Sequence, residues 1–139
     1  MHREPQLLIA FGLLLLIFSA CAHQGELTAA ERMTIRRVIE RQIEAFRRDD
    51  AATVFALASP EIQAKYGTPE NFRTIVKTFY EPVYRPRRLG GFTNLYVMDG
   101  QLTQPVVLMG PDGDFVVALY TMQKQPDGNW KILGCSLIP

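Results

Sequence analysis

Apolar side chains recur at three- and four-residue spacing at Ile35, Val38, Ile39, Ile43 and Phe46, with arginines and glutamates between them. That spacing lays one apolar stripe along a helix and leaves the other faces charged. Thr28 followed by Glu31 supplies the start as a capping box, each side chain satisfying a backbone N–H of the other end. A first helix is therefore expected from there to about Asp49. A shorter apolar piece, 51–58, follows, and Ser59-Pro60 then provides a cap and a first-turn proline for a helix over 61–66, closed by Gly67. Thr68-Pro69-Glu70 repeats the start signal, and Phe72, Ile75, Val76 and Phe79 form the next helical stripe.

After Glu81-Pro82 the period changes from helical to extended, giving strand-like runs at about 89–98, 101–109, 114–124 and 129–138. Asp99-Gly100, Pro111-Asp112-Gly113 and Pro126-Asp127-Gly128 join them, and such residues tolerate the positive φ that tight hairpins demand. An antiparallel meander follows from this. Pro105 has no N–H to give to a ladder, so the second run is expected at an edge or with a bulge there. Helices first and strands afterwards imply an α+β fold, with N-terminal helices packed on a curved antiparallel sheet of about four strands.

The first 22 residues have a different character. Arg3 and the α-amino charge precede an apolar stretch over 7–18, which gives way to Ser19, Ala20, Cys21 and Ala22. That order is the order of a signal peptide, and the stretch is shorter than the roughly 20 residues a membrane-spanning helix needs. Phe18-Ser19-Ala20-Cys21 resembles a bacterial lipobox, in which the cysteine is lipidated and becomes the first residue of the mature chain. Ala20-Cys21-Ala22 also fits ordinary cleavage, which would release a chain beginning at His23. Both routes place the domain outside the cytoplasm, lipid-anchored at Cys21 in the first and unanchored in the second. The organisation expected is 1–22 signal peptide, 23–27 tether and 28–139 a single domain.

Composition narrows the function classes. Hydrophobic residues make up 47% and charged residues 21% of the 139, and 15 basic against 14 acidic side chains leave a net charge of +1. The balance is that of an ordinary globular protein and lacks the basic excess a nucleic-acid binder uses to neutralise phosphates. Cys135 is the one cysteine outside the leader, so either cleavage route leaves it without an intramolecular partner. The run Trp130-Lys131-Ile132-Leu133-Gly134-Cys135 reads as a buried strand in which the thiol is a small core hydrophobe.

Several runs together, among them Tyr66-Gly-Thr-Pro-Glu-Asn-Phe72, Pro82-Val-Tyr-Arg-Pro86 and Gln125-Pro-Asp-Gly-Asn-Trp-Lys-Ile132, resemble the bacterial domain-of-unknown-function family numbered 4864. The resemblance covers nearly the whole mature chain. It implies the cone-shaped α+β fold of the nuclear transport factor two-like superfamily, in which helices and a curled sheet enclose a pocket. A fold of that kind hosts many unrelated activities.

Both histidines, His2 and His23, precede the domain, which removes the commonest general base and metal ligand from it. The sequence shows no glycine-rich phosphate loop, no Ser-His-Asp set and no metal-ligand spacing, so no cofactor or metal is expected. The inward stripe of the first helix offers Gln42 as its polar neighbour. The most unusual local composition is Phe79-Tyr80-Glu81-Pro82-Val83-Tyr84-Arg85-Pro86-Arg87-Arg88. Tyr80, Tyr84, Arg85, Arg87 and Arg88 are candidate ligand-binding residues, since planar guanidinium forks suit a carboxylate or phosphate at a pocket mouth. The competing reading packs the tyrosines under the sheet and leaves the arginines solvated or ion-paired.

The expected function is non-catalytic binding of a small apolar or anionic ligand. The alternatives are a protein-interaction or homodimerisation module, and an isomerase- or dehydratase-like enzyme using Asp or Tyr in the cone.

Overall fold

The computed structural model describes residues 26–139. The leader, the cleavage and lipidation position Cys21, and most of the tether lie outside the described residues. The chain divides into two units, Met1–Glu31 and Arg32–Pro139. Of the first, residues 26–31 are described, and they hold the expected capping box: the Glu31 N–H donates to Thr28 Oγ1 at 3.0 Å. No helix among the described residues is long and apolar enough to cross a membrane.

Five helices come first: α1 (Ala29–Arg47), α2 (Ala51–Ala56), α3 (Pro60–Tyr66), α4 (Pro69–Phe79) and α5 (Glu81–Tyr84). The starts are set by short polar side chains in extended backbone. Ser59 Oγ accepts from the Ile62 N–H at 3.3 Å and Thr68 Oγ1 from the Asn71 N–H at 3.2 Å, each followed by a proline that needs no donor partner. The end of α1 is less ordinary. The Asp50 N–H returns to Ala45 O at 2.8 Å and the Asp49 N–H to Phe46 O at 3.0 Å, the two bonds of a Schellman motif. Asp49 takes the left-handed position, φ 54°, that glycine usually fills. Asp50 then caps α2, its carboxylate accepting from the Thr53 N–H and hydroxyl at 3.1 and 2.7 Å. The short α5 was not expected; Glu81-Pro82 opens one more helical turn before the chain extends.

Five strands follow: β1 (Arg88–Phe92), β2 (Tyr96–Met98), β3 (Gln101–Met109), β4 (Phe115–Lys124) and β5 (Trp130–Ile138). They form one antiparallel sheet in the order β1-β3-β4-β5, with β2 also paired to β3. The fold is thus α+β as expected, with five strands where about four were read. Pro105 explains the difference. It lies inside the sheet, paired with Leu119 on β4, rather than at an edge. On its other side β1 ends opposite Val106 and β2 begins opposite Thr103, so the partner strand breaks where proline has no N–H to offer. The hairpins have the foreseen chemistry. Asp99 and Gly100 both have positive φ, 52° and 76°, the condition for the primed two-residue turn between β2 and β3.

In-register pairs sort the sheet into two faces. Gln104, Tyr120 and Cys135 share one face with Val106, Ala118 and Leu137, while Pro105, Leu119 and Ser136 share the other. The first face carries most of the buried side chains, among them Val106, Leu108, Ala118 and Tyr120, each fully enclosed. Ile35, Ile39 and Phe46 of α1 are likewise sealed, and Phe46 is 5.9 Å from Tyr84 and 6.4 Å from Phe72 between ring centroids. Complete burial of such side chains contributes about 1.5–3 kcal/mol each.

Candidate functional site

The loop between α2 and α3 lies along the edge of the sheet. The Ile132 N–H donates to Leu57 O at 2.9 Å and the Ser59 N–H to Ile132 O at 2.8 Å, so Ala58 forms a short parallel bridge to β5. Ser59 therefore both caps α3 and pins that helix to the strand. The Gln63 amide tightens the joint by donating to Phe55 O and Ala58 O at 3.0 and 3.1 Å. With α3 held at the edge and α4 crossing behind it, a cavity of about 250 Å³ is left between helices and sheet.

Its wall is mainly apolar: Phe72, Ile75 and Val76 from α4, Ile62 from α3, and Ile132 and Leu133 from β5. Four lining residues carry polar groups of chemical interest: Gln42, Lys65, Tyr66 and Tyr80. Gln42 is 4% exposed, and its Oε1 has no hydrogen-bond partner. A buried acceptor left in this state costs about 1–3 kcal/mol, and the loss is recovered by anything that brings a donor. Lys65 stands at the exposed end, its Nζ 5.3 Å from the centre of the Tyr66 ring. No carboxylate is among the lining residues. A second, more open depression of about 500 Å³ adjoins the first, sharing Tyr66, Ile75 and Tyr80 with it and adding Phe79 and Leu137.

Cys135 also lines the cavity. Burial pushes its thiol up to about 12, so at neutral pH it is a protonated, weakly polar wall group and a poor nucleophile. Its cross-strand neighbour Tyr120 is fully enclosed, with a hydroxyl that has no partner and whose ionisation burial pushes far upward. Gln104, paired with Tyr120 on β3, donates through Nε2 to Thr93 O and Pro105 O at 2.7 and 2.8 Å, while its Oε1 is unpartnered. A polar row thus runs across the inner face beside the cavity.

Of the five candidate residues around α5, Tyr80 lines the cavity. Tyr84 is buried beside Phe46, and its hydroxyl donates to Asp49 Oδ1. Arg85 donates to Asp49 Oδ2 at 2.9 Å and to Phe46 O, with its guanidinium 4.2 Å above the Tyr84 ring. Arg87 donates to Pro111 O at 3.0 Å in the β3–β4 turn, and Arg88 is exposed at the start of β1. These four side chains are not among the lining residues; Tyr84 and Arg85 brace the end of α1 instead. Lys65 and Tyr66 were not singled out from sequence, because a seven-residue helix is too short to declare a face. Its anchoring to β5 through Ser59 is a long-range fact no local pattern carries.

Among the described residues no group of three or more histidine, cysteine or acidic side chains is placed to hold a metal ion. Comparison with curated proteins and with solved structures finds no match. A family model does match, over residues 28–139, the whole of the helices and sheet described above. The chain belongs to the family described as Domain of unknown function (DUF4864).

Proposed function

We propose that the domain is a non-catalytic small-molecule binder whose site is the cavity between α1, α3, α4 and β5. The observation that carries this reading is the Gln42 amide oxygen, buried without a donor in the wall of a mainly apolar cavity. Natural ligand sites combine an apolar lining with a few convergent polar groups and run upward from about 300 Å³, so an occupant here is small. The helices-on-sheet order is compatible with the nuclear transport factor two-like architecture that the family resemblance implies, and a pocket in this place accords with it. The sequence of residues 1–22 further supports export, with lipid anchorage at Cys21.

Native mass spectrometry of the full chain, purified from the cells that make it, tests the reading. A dissociable small-molecule adduct supports it, and a mass gain from acylation at Cys21 supports the anchor. A bare chain that also fails to take up any small apolar probe would sink the binding reading.

A protein-interaction role is the second reading, favoured by one feature. On the sheet face away from the cavity, Phe115 is 56% and Ile138 45% exposed, flanking Val117. Sedimentation showing a monomer at all accessible concentrations would remove a homodimer through that face.

A further inference from the structure

The polar groups of the cavity differ in kind and in depth, and that difference specifies an occupant. Gln42 Oε1 is an acceptor, enclosed and unpartnered. Lys65 supplies the positive charge in the lining, sits in exposed surroundings, and faces no carboxylate among the lining residues. Phe72, Val76 and Ile132 line the same cavity and offer ring and branched aliphatic surface. An amide oxygen accepts only, so it selects a hydroxyl, amine or amide N–H. An ammonium at a rim selects an anion. We infer that the cavity takes a small organic monoanion, a carboxylic acid with an apolar body and a hydrogen-bond donor at the end remote from the carboxylate.

This inference rests on the cavity being a ligand site, and it adds orientation: donor inward on Gln42, body against Phe72 and Ile132, carboxylate outward at Lys65. The volume of about 250 Å³ limits the body to about one ring or a short branched chain. Tyr66, whose ring lies beside Lys65, shields that charge on one side.

The test is a calorimetric or ligand-observed NMR comparison of four probes on the full folded domain. They are (4-hydroxyphenyl)acetate, its methyl ester, (4-methoxyphenyl)acetate and toluene. The hydroxy acid is expected to bind about tenfold tighter than the methoxy acid, because only the hydroxyl satisfies Gln42. It is expected to bind a few-fold tighter than its ester, the modest contribution of a rim charge. Gln42→Leu should erase the first contrast and keep the second, while Lys65→Met should do the reverse, so each variant reports on its own folding. If toluene saturates the cavity and either contrast is missing, the ligand class is overturned and the cavity reading stands. If no probe binds, toluene included, both fall together.

Discussion

Arg85 Nη2 lies 2.9 Å from Asp49 Oδ2, and Asp49 itself sits at φ 54° in the left-handed turn that closes α1. A residue 36 positions further along the chain thus holds the helix end in a conformation that side chains other than glycine rarely adopt. The Tyr84 hydroxyl donates to the other carboxylate oxygen. Together they fasten α5 to α1 and fix one flank of the cavity.

Breaking this clasp should lower Tm without abolishing folding. Tyr84→Phe removes the hydroxyl donor and should destabilise the wild type clearly but Asp49→Asn only weakly, because the shared bond is then already impaired. Asp49→Ala should be worse than Asp49→Gly, which relieves the turn while losing the same bonds. Thermal unfolding of the four single variants and the Tyr84→Phe/Asp49→Asn double measures both orderings. Equal losses from Tyr84→Phe in both backgrounds would show that the pair is not coupled.

Acid sensitivity follows from three carboxylates. Asp49 is held below its ordinary 3.8 chiefly by the Tyr84 hydroxyl, with Arg85 adding to it. Asp50 is lowered by the Thr53 hydroxyl and backbone N–H, and Glu61 by its own N–H and then the Gln123 amide. A group more acidic when folded contributes stability that is complete above its unfolded pKa and lost as pH falls through its folded one. Urea midpoints should be level from pH 7 to about 5 and decline below the ordinary carboxylate range. Asp50→Asn, which removes one contributor, should make that decline shallower.

Cys135 carries the opposite sign. Its thiol is raised from 9.0 to about 12 by burial, so its contribution is intact below 9.0 and is lost as pH rises towards the folded value. Alkylation at pH 8 should be slower in the native chain than in the urea-unfolded chain by on the order of a thousandfold, the ratio of thiolate populations. Fast native labelling would mean that the thiol is solvated at the cavity wall and ionises near its ordinary range. Cys135→Ala should flatten the alkaline loss of stability.

Gln42 separates binding from folding. Replacing a buried, unpartnered acceptor by an apolar side chain of similar size removes an uncompensated burial, so Gln42→Leu should stabilise the empty domain by about 1 kcal/mol, a few degrees in Tm. A residue kept only for packing would show a loss on the same measurement. Gain in stability together with loss of preference for donor-bearing probes is the pattern of a binding residue.

Much of this architecture can be read from local chemistry. Ser59, Thr68 and the Thr28–Glu31 pair announce helix starts because each needs only a neighbour two or three residues away. Asp99-Gly100 announces its hairpin for the same reason. The end of α1 is less legible, since Asp49 takes a glycine's role with support from Tyr84 and Arg85. The four residues of α5 are too few to show a period. The break between β1 and β2 is dictated by Pro105 on a different strand, and so appears only once register is known. Gln42 is recognisable from sequence as the polar neighbour of an apolar stripe. Its unpaired oxygen, and its meeting with Lys65 and Ile132 around one cavity, depend on how α3 is pinned to β5.

The most direct measurement is a methyl-resolved NMR titration of the isotopically labelled domain with (4-hydroxyphenyl)acetate. Saturable shifts centred on Ile62, Ile75, Val76 and Ile132, with Val117 and Leu119 on the opposite sheet face unmoved, are the predicted result. Absence of any saturable shift, or shifts gathered on Val117, Leu119 and Ile138, would contradict the account and turn attention to the outer face of the sheet.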